Sequence, residues 1–169
     1  QALALDPEYA LAYSLRSRVR MNCDDLEGAR LDADQAVRLG PQDSEGHATL
    51  GLILAASKEF KGAFEEFATA LQINPRDAEV HYNRAAAHLR LGHFQEGLED
   101  LTQALTIDPS YYDAYAGRGR VRAALKKFDE AIQDFEEVLK RAPSDWPDRS
   151  AITAELEQTR LARKRTHPR

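Results

Sequence analysis

From Gly92 to Pro109 the chain reads GHFQEGLEDLTQALTIDP, and its apolar residues Phe94, Leu98, Leu101, Leu105 and Ile107 recur at helical spacing before the stop Asp108-Pro109. The same pattern stands 34 residues earlier as KEFKGAFEEFATALQINP, ending at Pro75, and 34 residues later as KKFDEAIQDFEEVLKRAP, ending at Pro143. Prolines 7, 41, 75, 109 and 143 keep this spacing. A fixed period in the range of roughly 20 to 50 residues marks stacked supersecondary units, none of which buries its apolar face alone. Each unit then contacts mainly its neighbours, and no single central core is required.

Four whole units follow from Ala10, over 10–43, 44–77, 78–111 and 112–145. Each divides into two helical patterns around a short turn: Asn22-Cys23-Asp24-Asp25, Ser57-Lys58, Leu91-Gly92 and Lys126-Lys127. Proline after every second helix cannot continue it and biases the preceding residue out of the α region. Ser44-Glu45, Glu79 and Asp113 open the next units, where acids complement the helix dipole. Residues 1–9 align with Gln103 to Tyr111 and read as the tail of a further repeat, so a piece of a longer protein is expected. Ser144-Asp145-Trp146-Pro147 reads as an N-cap and first turn. It opens a capping helix over 146–165, with Ile152 and Leu156 on one stripe, before a frayed basic tail at 166–169.

At these positions the chain resembles the tetratricopeptide repeat (TPR) family, whose pattern is W-x2-L-G-x2-Y, A-x3-F, then P. The second unit carries His47, Leu50, Gly51 and Leu54, then Ala63, Phe67 and Pro75; the fourth carries Tyr115, Arg118, Gly119 and Arg122, then Ala131, Phe135 and Pro143. The third carries His81, Arg84, Ala85, His88, Gly97, Leu101 and Pro109, and the first, most degenerate, Tyr13, Arg16, Ser17, Arg20, Ala29, Ala33 and Pro41. The pattern's Trp is met nowhere and its Tyr is replaced throughout. Small Ser17, Gly51, Ala85 and Gly119 let the paired helices approach, with Leu26, Phe60, Phe94 and Phe128 expected nearby. The resemblance implies an all-α fold, a right-handed α-solenoid of antiparallel helix pairs with a C-terminal capping helix.

Composition narrows the function. Hydrophobic content of 43% and charged content of 30% suit a folded chain, and no apolar run reaches the roughly 18 residues of a membrane span. Residues 160–169 carry Arg160, Arg163, Lys164, Arg165 and Arg169 without an acid; with a net charge of −5 overall, the remainder carries −10. An acidic body does not fit a nucleic-acid binder, whose footprint is a basic face. The basic tail reads either as a helix end favoured by the dipole or as a patch for an acidic partner, nucleic acid or a localisation receptor.

No catalytic constellation assembles. Cys23 sits beside Asp24 and Asp25, which disfavour a thiolate, and it excludes an intramolecular disulfide by being alone. His47, His81, His88 and His93 lack the partners of a zinc set and are expected in packing or hydrogen bonding. No phosphate-binding glycine motif is present. No cofactor, metal or enzymatic activity is expected. Arg16, Arg84 and Arg118 share one repeat position, and Asp32, Glu66, Asp100 and Asp134 another, so pairing between adjacent helices is expected.

The resemblance implies a protein-interaction scaffold whose first helices line a concave groove. On it fall Arg18, Asn22, Thr49, Leu52, Tyr82, Asn83, Ala86, Arg90, Gly117 and Arg120. Small residues suggest a wide groove. Arg18, Arg90 and Arg120 suggest an acidic-apolar segment with Tyr82 and Asn83 central, unless the arginines pair with Glu45, Glu79 or Asp113. Related domains bind acidic Hsp70/Hsp90 tails through Lys and Asn on one helix, Asn on the next repeat, and Lys and Arg on a third. Here the matching residues are Ala48, Leu52, Asn83, Asp113 and Gly117, or Ser14, Arg18, Thr49, Glu79 and Asn83, and the clamp is absent. Two other readings stand beside the scaffold: a targeting module of a larger enzyme, and a unit that stacks on its own copies. Leu3, Leu5, Leu11 and Leu15 suggest weak self-association through the N-terminal end.

Overall fold

The computed structural model describes residues 10–166, which form nine α-helices and no strand. They are α1 Ala10–Asn22, α2 Leu26–Leu39, α3 Ser44–Ala56, α4 Phe60–Ile73, α5 Ala78–Arg90, α6 Phe94–Ile107, α7 Tyr112–Ala124, α8 Phe128–Arg141 and α9 Arg149–Thr166. The tail of a preceding repeat, with Leu3 and Leu5, and the last three residues lie outside the described residues.

The four inter-helix turns share one device. Asp24, Lys58, Gly92 and Lys126, spaced by the repeat, adopt left-handed backbone with φ of 61°, 64°, 76° and 61°. A residue in this conformation ends a helix and reverses the chain. Only one of the four is glycine, so the other three turns hold a non-glycine residue in a disfavoured region. Side-chain caps start α2 and α3: Asp25 accepts from the Gly28 amide at 2.9 Å, and Asp43 from the Glu45 amide at 3.2 Å.

The chain divides into two compact units, the first ending at Ala87 and the second beginning at His88, inside α5. In the first, α1 packs on α2 and α3 on α4, with α3 also packed on α2. Its core gathers Ala29, Ala33, Leu50, Ile53, Leu54, Ala63, Phe67, Ala70 and Val80. Full burial of a side chain such as Phe67 contributes about 1.5–3 kcal/mol. In the second unit α7 packs on α6 and α8, and α9 covers α8 through buried Ile152 and Leu156.

Two sequence expectations need correction. The rings admitted by the small residues are Phe67 against Gly51 and Phe135 against Gly119, not Phe60 and Phe128; Phe94 is 42% exposed. The last helix begins at Arg149 rather than at 146. Trp146 donates its amide to the Pro143 carbonyl, and Arg149 to that of Trp146, each at 3.1 Å, so two successive turns precede the helix. The Trp146 ring meets Tyr112 edge-on at 6.1 Å, which holds this stretch against α7.

Candidate partner-binding groove

Within the pairs, charge does structural work. Arg16 donates to Asp32 at 2.6 Å through Nε, and Arg20 pairs with the same carboxylate at 3.0 Å while donating to the Gly28 carbonyl at 2.9 Å. The partners' numbers run in opposite directions, as antiparallel helices require. Arg118 and Arg122 converge on Asp134, each at 2.7 Å. Leu50 stands where those units have Arg, and there His47 takes over: its Nδ1 lies 2.7 Å from Glu66 Oε2 and its Nε2 3.2 Å from the Pro41 carbonyl oxygen. The histidine at this position is therefore an inter-helix tie.

The first unit holds an open cavity of about 110 Å³ between α1, α3 and the start of α5. Five of the expected groove residues meet there: Arg18, Asn22, Thr49, Leu52 and Asn83. Met21, Leu52 and Val80 give it an apolar lining, and Glu45, Asp77 and Glu79 an acidic one. Thr49 is 4% exposed, and neither its hydroxyl nor the Asn83 amide makes a hydrogen bond among the described residues. A side chain as buried as that of Thr49 is ordinarily paired, so Thr49 stands out, with the half-buried Asn83 also lining the cavity.

Of the other expected residues, Tyr82 and Ala86 lie on α5 and do not line the cavity. Tyr82 is half-buried and makes an interaction of its own, and Ala86 is exposed. Arg90, Gly117 and Arg120 belong to the second unit. A Cβ on Gly117 would meet Leu101 Cδ2 at 3.6 Å, ordinary contact.

Of the two readings of the groove arginines, pairing holds for Arg18, with the expected Glu45, and for Arg120, with an acid outside the expected set. Arg18 donates to Glu45 at 2.6 Å, and Arg120 to Glu155 of α9 at 2.9 Å. The basic C-terminal helix is partly spoken for as well: Arg160 reaches Glu136 and Arg163 reaches Asp129, each at 2.7 Å. Asp77 and Val80 of the cavity are absent from the sequence-based groove. From sequence Glu79 reads as the acid that opens this unit, but it is Asp77 that caps α5, accepting from the Val80 amide at 3.1 Å. Its second face, toward the cavity, is a product of the fold.

Two family models match the chain, one described as tetratricopeptide repeat over residues 82–145 and one as TPR repeat over residues 51–92. Among solved structures the chain is similar to pilF of Pseudomonas aeruginosa, with a TM-score of 0.79, 23% identity, and 93% of this chain and 72% of that one covered. It is similar to the first TPR of Spaghetti (RPAP3), solved bound to the HSP90 peptide SRMEEVD, with a TM-score of 0.64, 28% identity, and 72% and 93% covered. It is also similar to the Arabidopsis OM64 TPR domain, with a TM-score of 0.61, 30% identity, and 68% and 94% covered. No curated protein matches it in sequence. The fold class is an all-α helical-repeat solenoid. No described helix is long and apolar enough to cross a membrane.

Proposed function

Because the chain belongs to the tetratricopeptide repeat family, generally non-catalytic protein-interaction scaffolds, we propose that it holds a peptide segment of a partner protein against α1, α3 and α5. The observation that carries this reading is the cavity where Arg18, Asn22, Thr49, Leu52 and Asn83 meet, with the Thr49 hydroxyl and Asn83 amide unpaired among the described residues. Such groups lose hydration cheaply only if a ligand supplies the missing hydrogen bonds. Tyr82 and Ala86, on the same helix α5 as Asn83, extend this reading within the first unit. The partner is not an Hsp70/Hsp90 tail: Glu79 stands where that clamp needs Lys.

The test is selection of phage-displayed heptapeptides on the wild-type chain, followed by binding to an Asn83→Trp variant of unchanged helicity and melting temperature. Peptides that the filled cavity no longer binds support the groove. Retention of every selected peptide would falsify it.

A second reading, self-association, is favoured by one observation. Leu11, Leu15 and Val19 form an exposed stripe at four-residue spacing on α1, while Ile53 and Val121, at the repeat position of Val19, are buried.

A further inference from the structure

We infer that the segment bound in the first-unit cavity is basic, and that a Lys or Arg side chain of the partner enters it. This rests on the groove reading above and adds the chemistry of the ligand. Arg18 is the one cation lining the cavity, and its charge is matched by Glu45 at 2.6 Å. Asp77 and Glu79 are then left over, for neither forms an ion pair among the described residues. Asp77 spends one oxygen on the Val80 amide, which leaves its charge uncompensated. Two carboxylates at the wall of a concave site focus a field that draws a cation and repels an anion.

The neutral lining agrees with the charge. Thr49, almost wholly buried, presents a hydroxyl without a hydrogen bond among the described residues, and the Asn83 amide is likewise unengaged. Both offer oxygen acceptors to an ammonium or guanidinium group. Leu52 and Val80 supply apolar surface on which the aliphatic stem of Lys or Arg lies while its head reaches the carboxylates. An acidic side chain would find Arg18 already occupied. An apolar one would leave Thr49 and Asn83 unpaired.

The probes are the phage-selected heptapeptides, measured on the full chain by fluorescence polarisation with wild type, Asn83→Trp and the double variant Asp77→Asn/Glu79→Gln. Asn keeps the helix cap at 77, so the double variant alters charge and not the start of α5. The expected result is a selected set rich in Lys and Arg. Its affinity falls roughly tenfold in the double variant, and it weakens as salt is raised. Selected peptides that are acidic or uncharged, or that bind the double variant as well as wild type while losing Asn83→Trp, overturn the basic ligand and leave the groove standing. Peptides indifferent to Asn83→Trp, or no binding peptide at all, overturn both.

Discussion

A Cβ built on Gly119 would lie 2.6 Å from Cε1 of Phe135, a ring that is 1% exposed. Gly51 repeats the arrangement, with Cδ1 and Cε1 of Phe67 both at 2.8 Å. The glycine is a steric requirement of the ring: α7 and α8 approach so closely that a methyl group must push Phe135 out of a filled core.

Gly119→Ala is therefore expected to destabilise the chain, although alanine is favoured over glycine in a helix by about 1 kcal/mol. Overpacking costs about 1–3 kcal/mol and outweighs that gain. The double change Gly119→Ala/Phe135→Leu should recover part of the loss. Urea denaturation of the three variants checks both statements; a Gly119→Ala protein as stable as wild type would show that the ring moves freely.

Asp134 and Asp32 occupy one repeat position and are equally buried, yet their partners differ. The Arg118 and Arg122 side chains are 14% and 20% exposed, whereas those of Arg16 and Arg20 are 44% and 35% exposed. Removing the acid leaves the first two guanidinium groups, poorly placed to reach water, with only the Thr102 hydroxyl and Glu130, and lets the second two return to water. Asp134→Ala should cost about 3 kcal/mol, the range for breaking a buried pair, and Asp32→Ala clearly less. Chemical denaturation gives the order directly.

Ser110 donates to Asp108 Oδ1 through its hydroxyl at 2.6 Å and its amide at 2.8 Å, and these bonds hold the Asp108 carboxyl below its ordinary value. A depressed carboxyl contributes stability that is present above the unfolded value near about 3.9 and lost as pH falls through the folded one. Ser110→Ala removes the larger cause, so the Asp108 titration should move up toward the ordinary range. Carbon-detected NMR of the carboxyl group reads the shift, and the small accompanying loss of stability should vanish in strong acid.

Val19 is 61% exposed while its counterpart Ile53 is wholly buried, so α1 carries apolar surface that internal repeats cover. Weak, concentration-dependent self-association through this helix is expected, and Leu15→Lys/Val19→Lys should abolish it. Sedimentation velocity over a wide concentration range decides; a wild-type chain that stays monomeric throughout removes this reading.

The repeat made the helices legible because Pro, turn residues and apolar stripes recur in phase, and each recurrence corrects the others. Size matching was legible only in part: the need for small residues at Gly51 and Gly119 was read, but the rings that fill the space are Phe67 and Phe135, not Phe60 and Phe128. The charge of the groove was not. A free Arg18 and one paired with Glu45, 27 residues away, both fit the sequence, and how α1 meets α3 decides between them. Asp77 was missed because Glu79 reads as the acid that opens this unit, whereas in the fold Asp77 both caps α5 and lines the cavity with Asn83 and Thr49. The start of α9 was misplaced because Ser-Asp-Trp-Pro is a sound helix opening locally, and the contact of Trp146 with Tyr112 overrides it.

The same cavity is expected to reject the acidic chaperone tails. Of the positions that match the clamp from the first unit, Arg18, Thr49, Glu79 and Asn83 line it. The clamp needs a lysine where Glu79 stands, and Arg18, the one cation present, is held by Glu45. A terminal carboxylate brought here meets Glu79 and Asp77 without a compensating donor cation, and like charges at close range disfavour binding. Of those four positions Asn83 alone carries an amide. A fluorescein-labelled peptide ending in EEVD should show no saturable binding to the full chain at micromolar concentration. Glu79→Lys should move the site toward such a peptide by reversing one charge, without completing the clamp. Micromolar binding by wild type, lost when the terminal carboxylate is amidated, would sink the exclusion, and the basic-ligand inference would fall with it.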